Sequence, residues 1–158
     1  MSTTALDTAL EHVGRILLDT SALIAFHNGE EQTHYLAKHL LERIENTQDP
    51  LHGYYSVVSA TEILVRPIRT GVVQFTFIHT FLTSFPNLNV LPVDLQVATA
   101  AATLRAIRNI RIPDALIIAS GLLAGCEAIV TNDEQWQRRL APIFHEFRWI
   151  HLGNFLTE

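Results

Sequence analysis

Ile16-Leu-Leu-Asp-Thr-Ser-Ala-Leu-Ile24 decides the fold. Arg15–Leu18 reads as a buried strand that stops at Asp19, and Thr20 and Ser21 can cap a helix through Ala22–His27. Three further stretches place an acid where an apolar run gives way to a helix. They are Val57-Val-Ser-Ala-Thr-Glu-Ile-Leu64, Ile112-Pro-Asp-Ala-Leu-Ile-Ile118 and Ala128-Ile-Val-Thr-Asn-Asp133. If the apolar runs are strands of one parallel sheet, Asp19, Glu62, Asp114 and Asp133 converge at one edge. Ligands of open α/β sheets bind there, outside the carboxyl ends of the strands.

The rest of the chain alternates in the same way. Thr33–Ile44 carries a helical stripe of Leu36, Ala37, Leu40, Leu41 and Ile44. Tyr54–Val58 is β-branched and aromatic, hence a strand. Ser59-Ala-Thr-Glu62 fits a capping box, which predicts a helix from Ser59 to about Arg66, before Pro67. A helix over Val72–Phe85 follows Gly71; its Phe75, Phe77 and Phe81 suit a core or a partner face equally. Leu88–Leu91 is a strand, and Asp94 caps a helix over Leu95–Ile107 with Val97, Ala98, Ala101, Leu104 and Ile107 inward. Pro113 opens the helix Asp114–Ala124, and Gly125 ends it. Ala128–Val130 and Arg148–Leu152 are the last strands, with a helix over Gln135–Leu140 between them. This alternation predicts a three-layer α/β/α fold on a mostly parallel central sheet. Residues 1–14 read as a polar lead-in with a short helix (Leu6, Leu10, Val13), and residues 15–156 as one domain.

Bulk properties narrow the function. A chain of 158 residues with 48% hydrophobic and 17% charged residues suits one folded domain. The net charge of −5 is not that of a general nucleic-acid binder, so such binding needs local positive charge or a bound metal. Cys126 is the only cysteine, which excludes a disulfide framework and a cysteine zinc site and makes the cytoplasm the default compartment. No apolar stretch suits membrane insertion. Walker A, G-x-G-x-x-G, G-x-S-x-G and His-Glu-x-x-His patterns are missing.

Taken singly, each acid suits a helix N-terminus, where free N–H groups and the macrodipole favour negative charge. Taken together, four carboxylates around one crevice repel unless a cation lies between them. Oxygen ligands fit a hard divalent ion, Mg²⁺ or Mn²⁺, and metal-assisted chemistry on a phosphate. Thr20, Ser21, Thr131 and Asn132 flank the first and last acids as turn residues or as groups that orient them. Arg66, Arg69 and Arg111 are candidate phosphate contacts, set against the alternative of a solvated helix face, as are Arg105 and Arg108.

Leu18-Asp-Thr-Ser-Ala-Leu-Ile24, Ser59-x-x-Glu62, Pro113-Asp-Ala-Leu-Ile-Ile-Ala119 and Val130-Thr-Asn-Asp133 occur in the order and rough spacing of the PIN-domain family. The chain resembles that family from about Arg15 to Leu152, and VapC-like toxins within it. The resemblance implies a Mg²⁺- or Mn²⁺-dependent ribonuclease with Asp19, Glu62, Asp114 and Asp133 at the acidic positions. It also implies a small antitoxin partner and a homodimer. Asp19 and Asp114 are then the main metal ligands, with Glu62 and Asp133 completing the shell. A PIN-like module that binds RNA or protein without cutting, and a housekeeping RNA-processing nuclease, are the alternatives.

Overall fold

The computed structural model describes residues 2–156; Met1 of the lead-in lies outside them. Five strands, β1 (Arg15–Leu18), β2 (His52–Ser56), β3 (Leu88–Leu91), β4 (Ala128–Thr131) and β5 (Arg148–His151), form one sheet. Its order is β3-β2-β1-β4-β5 and every pairing is parallel. The helices are α1 (Ser2–Ala9), α2 (Thr20–His27), α3 (His34–Glu45), α4 (Val57–Thr70), α5 (Val72–Ser84), α6 (Leu95–Ile107), α7 (Ile112–Leu123) and α8 (Glu134–Arg139). A 3₁₀ turn, Leu152–Phe155, follows β5. The expected three-layer α/β/α architecture is therefore present.

The central strands bury both faces, which is why their sequences are continuous apolar runs rather than alternations. Ile16 and Leu18 of β1, with Ala128 and Val130 of β4, pack into a core with α1 to α5. Leu17 and Ile129 point the other way, into a second core with α6, α7 and α8. Successive side chains on a strand alternate between faces, so three residues serve two cores. Ile16 to Leu18 pair in register with Ala128 to Val130. Successive strands run from β1 outward to β3 and then resume on the other side at β4, so the topological switch point lies between β1 and β4.

The lead-in is packed. Leu6, Leu10 and Val13 are buried in the first core. Arg148 Nη1 donates to the carbonyls of Ala9, at 2.8 Å, and Glu11, at 3.0 Å. Asp7 accepts from Arg43 of α3 at 3.0 Å and lies 2.9 Å from His39 Nε2.

Local expectations fail at three places. Helix α4 begins at Val57, not Ser59: Ser56 is its N-cap and accepts from the Val58 N–H at 3.2 Å. The strand before it accordingly ends at Ser56, and Ser59 is a buried helical residue. Pro67 does not end the helix, which continues to Thr70. The buried proline ring packs against the domain, and tertiary contact offsets the lost hydrogen bond. The break falls instead at Gly71, whose φ of 144° is open to glycine. Ile107, expected inward, is 73% exposed at the end of α6.

Candidate active site

The crevice forms where β1 and β4 end side by side. Asp19 directly follows β1, and its N–H continues the ladder by donating to the Val130 carbonyl at 3.1 Å. Its side chain caps α2, accepting from the Ala22 N–H at 2.8 Å. Two hydroxyls complete its surroundings. Ser21 Oγ donates to Oδ1 at 2.7 Å, and Thr131 Oγ1, at the end of β4, donates to Oδ2 at 2.6 Å. The same hydroxyls tie the next loop down, since Ser21 Oγ accepts from the Asn132 N–H at 2.8 Å and Thr131 Oγ1 from the Asp133 N–H at 3.0 Å. Asp133 then caps α8 through the Gln135 N–H at 2.7 Å. Ser21, Thr131 and Asn132 thus join β1–α2 to β4–α8 and fix Asp19.

Glu62 reaches the crevice from the second turn of α4. With α4 capped by Ser56, the carboxylate is not spent on a capping box, and it accepts from the Thr20 hydroxyl. Ser59 Oγ lies 3.0 Å from the same Thr20 oxygen, anchoring α4 to α2. Asp114 is buried in the first turn of α7. Both its oxygens contact the Arg111 guanidinium, Nε to Oδ2 at 2.9 Å and Nη2 to Oδ1 at 3.2 Å.

Charge links all four acids. Burial pushes the Asp19 carboxyl up to about 6, against its hydrogen bonds from Thr131, Ala22 and Ser21; the Asp133 charge raises it further. Arg111 is held further above its ordinary value by its hydrogen bonds to Asp114 and then by the charges of Asp114, Asp133 and Glu62. Asp19, Asp133, Asp114 and Glu62 therefore share one electrostatic neighbourhood in which Arg111 is the resident cation. The donor set is oxygen only, which suits a hard divalent ion. A buried carboxylate without a cationic partner is the kind of group such an ion would compensate. Among the described residues, however, no three His, Cys, Asp or Glu side chains are gathered as a ready-made metal site.

The candidate phosphate contacts divide. Arg66 and Arg69 are exposed on α4, whereas Arg111 is engaged within the crevice. Arg105 donates to the Ile110 carbonyl at 3.1 Å, and Arg108 lies over the Phe144 ring. Two features escaped the sequence reading. Ser59, taken as a cap, packs against Thr20, and only the third dimension shows it. The Arg111–Asp114 pair had a signal, a basic and an acidic residue at i,i+3 spacing across a helix start.

The PIN domain family model matches residues 16–141. Solved structures with the same fold include a toxin–antitoxin complex from Klebsiella pneumoniae. It is 22% identical, covers 87% of this chain and 97% of its own, and has a TM-score of 0.65. VapC20 from Mycobacterium tuberculosis, described as a sarcin-ricin loop cleaving toxin, is 21% identical, covers 84% and 98%, and has a TM-score of 0.62. VapBC2 from Rickettsia felis, bound to a DNA fragment from its promoter, is 15% identical over 87% and 98%, also at 0.62. No curated protein matches the chain in sequence. The five-stranded parallel sheet with its switch point between β1 and β4 and a family match over residues 16–141 agree: this chain belongs to the PIN domain family.

Proposed function

We propose that this chain is a divalent-metal-dependent ribonuclease and the toxin of a VapBC-type pair. The observation that carries the reading is Asp19: a buried carboxylate, fixed by three donors, raised to about 6, with no cation bonded to it among the described residues. Holding an acid in that state costs stability, and functional sites are where such costs are tolerated. The toxin part is supported by the likeness to a toxin–antitoxin complex and to VapBC2, and the choice of RNA by the likeness to the sarcin-ricin loop cleaving toxin.

In this reading Asp19 and Asp114 are the main ligands of Mg²⁺ or Mn²⁺, with Glu62 and Asp133 completing the shell. When bound, the ion supplies positive charge against the scissile phosphate and acidifies the attacking water. The residues do the rest. Ser21 and Thr131 hold Asp19 in one orientation, Thr20 holds Glu62 and is itself in contact with Ser59, and Arg66 and Arg69 contact flanking phosphates. The net charge of −5 is compatible with an RNA substrate because the positive charge is local. A small antitoxin would fit the crevice by presenting a basic group to the carboxylates, and the active form is a homodimer.

The test is cleavage of a cellular RNA pool by purified protein in Mg²⁺ or Mn²⁺, against EDTA and against Asp114→Asn. Cutting that needs the ion and disappears in the variant supports the nuclease. A folded protein, free of co-purified inhibitor, that cuts nothing overturns it in favour of an RNA- or protein-binding module. Expression should slow growth and be rescued by a neighbouring small reading frame. Harmless expression of an active nuclease would indicate RNA processing instead.

A further inference from the structure

We infer that Arg111 is an internal competitor of the metal: its guanidinium holds Asp114 in the absence of a divalent ion and must release it before that ion can bind there. The inference rests on the reading of the crevice as a metal site.

Four observations support it. The contact is a fork, occupying both Asp114 oxygens at 2.9 and 3.2 Å. A forked arginine leaves a carboxylate little capacity for another cation. The Asp114 side chain is only 12% exposed while that of Arg111 is 69% exposed, so the guanidinium lies on the outer side of a largely buried carboxylate. Arg111 also feels the charges of Asp133 and Glu62, which places it in the field of the wider acid cluster and not of one partner alone. Finally, helix stability does not account for an arginine here. Arg111 is the N-cap of α7 and makes no side-chain cap bond, and a cation at a helix N-terminus opposes the macrodipole.

The pair is a weak latch. Arg111 is the exposed member, so it can turn into solvent when a doubly charged ion takes up the carboxylate. The arginine stays tethered at the start of α7, at the rim of the crevice, where its freed fork matches a phosphate. The same side chain therefore neutralises the crevice at rest and contacts RNA when the ion is bound.

The experiment measures Mn²⁺ binding, by calorimetry and by the spin-resonance signal of free Mn²⁺, without RNA. Wild type is compared with Arg111→Gln and with Lys38→Gln, which makes the same charge change on the exposed surface of α3. Arg111→Gln should tighten Mn²⁺ binding about three- to tenfold, and Lys38→Gln less than about twofold. Equal or weaker binding by Arg111→Gln overturns the competition alone. No Mn²⁺ binding by any of the three overturns it together with the metal-site reading. If Arg111→Gln does not fold, Arg111→Lys carries the test, since it keeps the charge but not the fork. Tighter Mn²⁺ binding then supports the proposal, and unchanged binding overturns it.

Discussion

Replacing Asp19 with asparagine should stabilise the metal-free protein. The folded-state pKa is about 6 against an ordinary 3.8, with burial as the main cause. A raised carboxyl pKa means that the fold resists ionisation. The penalty begins as pH rises through 3.8 and is complete above about 6, where it amounts to roughly 3 kcal/mol. Asparagine removes the charge and keeps most of the geometry. Its Oδ1 can accept from the Ala22 N–H and Ser21, while its amide faces Thr131 and must be accommodated by rotation of that hydroxyl. Exchanging charge-assisted bonds for neutral ones costs about 1 kcal/mol, which leaves a gain of about 1–2 kcal/mol. For a domain of this size that raises Tm by about 2–8 °C at pH 7.5. Calorimetry in EDTA from pH 4 to 8 should show the variant's advantage vanish towards pH 4. An Asp19→Asn protein less stable than its parent at pH 7.5, or a difference that does not vary with pH, would refute the electrostatic account.

Three other outcomes are expected. His27, half-buried among Phe26, Phe77 and Phe81 with neither ring nitrogen bonded, is pushed down to about 4 by burial and then by His34. A depressed base destabilises the fold as pH falls from 6.5 towards 4, so His27→Leu should spare about 2–3 kcal/mol of acid loss in denaturant titrations at pH 4 against pH 7.5. No change in that difference would remove the role. A Cβ on Gly121 would lie 2.6 Å from Leu17 Cδ2, so Gly121→Ala should destabilise by about 1–3 kcal/mol in urea unfolding despite alanine's better helix propensity; a stabilised variant would show that Leu17 yields freely. Cys126 is buried and its thiol is pushed up to about 12, so alkylation at pH 8 should follow global unfolding; rapid labelling of the native protein would contradict this burial.

Much of the fold was legible because β1 and β4 are buried on both faces. Their sequences are runs that no helix stripe resembles, and each ends abruptly at a polar residue. Asp19 and Asp133 were visible for the same reason, as charges just beyond a strand, whereas Glu62 lies in the second turn of α4 and Asp114 inside the first turn of α7. Choices between equivalent local signals were not legible. Ser56 and Ser59 both suit a helix start, and Ser59-x-x-Glu62 has the better local pattern. Packing decided otherwise, by burying Ser59 against Thr20 and leaving Ser56 to cap. Pro67 carries a local stop signal that the burial of its ring overrides. Ile107 has the right helical phase but falls at the end of α6, where nothing covers it. The basic character of Arg111 was plain, whereas its partner depended on which way one side chain turned.

The bond from Thr131 to Asp19 spans 112 positions of the chain, and β1 pairs directly with β4. Order of synthesis therefore separates the two halves of the crevice. A nascent chain presents Asp19 first, but lacks Thr131, Asp133 and β4 until 112 further residues and more have been made. Closing so long a loop comes late in folding. A polypeptide still attached to the ribosome holds a half-built crevice until those residues emerge. A protein that cuts RNA would thus gain that capacity only after β4 and the loop behind it have been made.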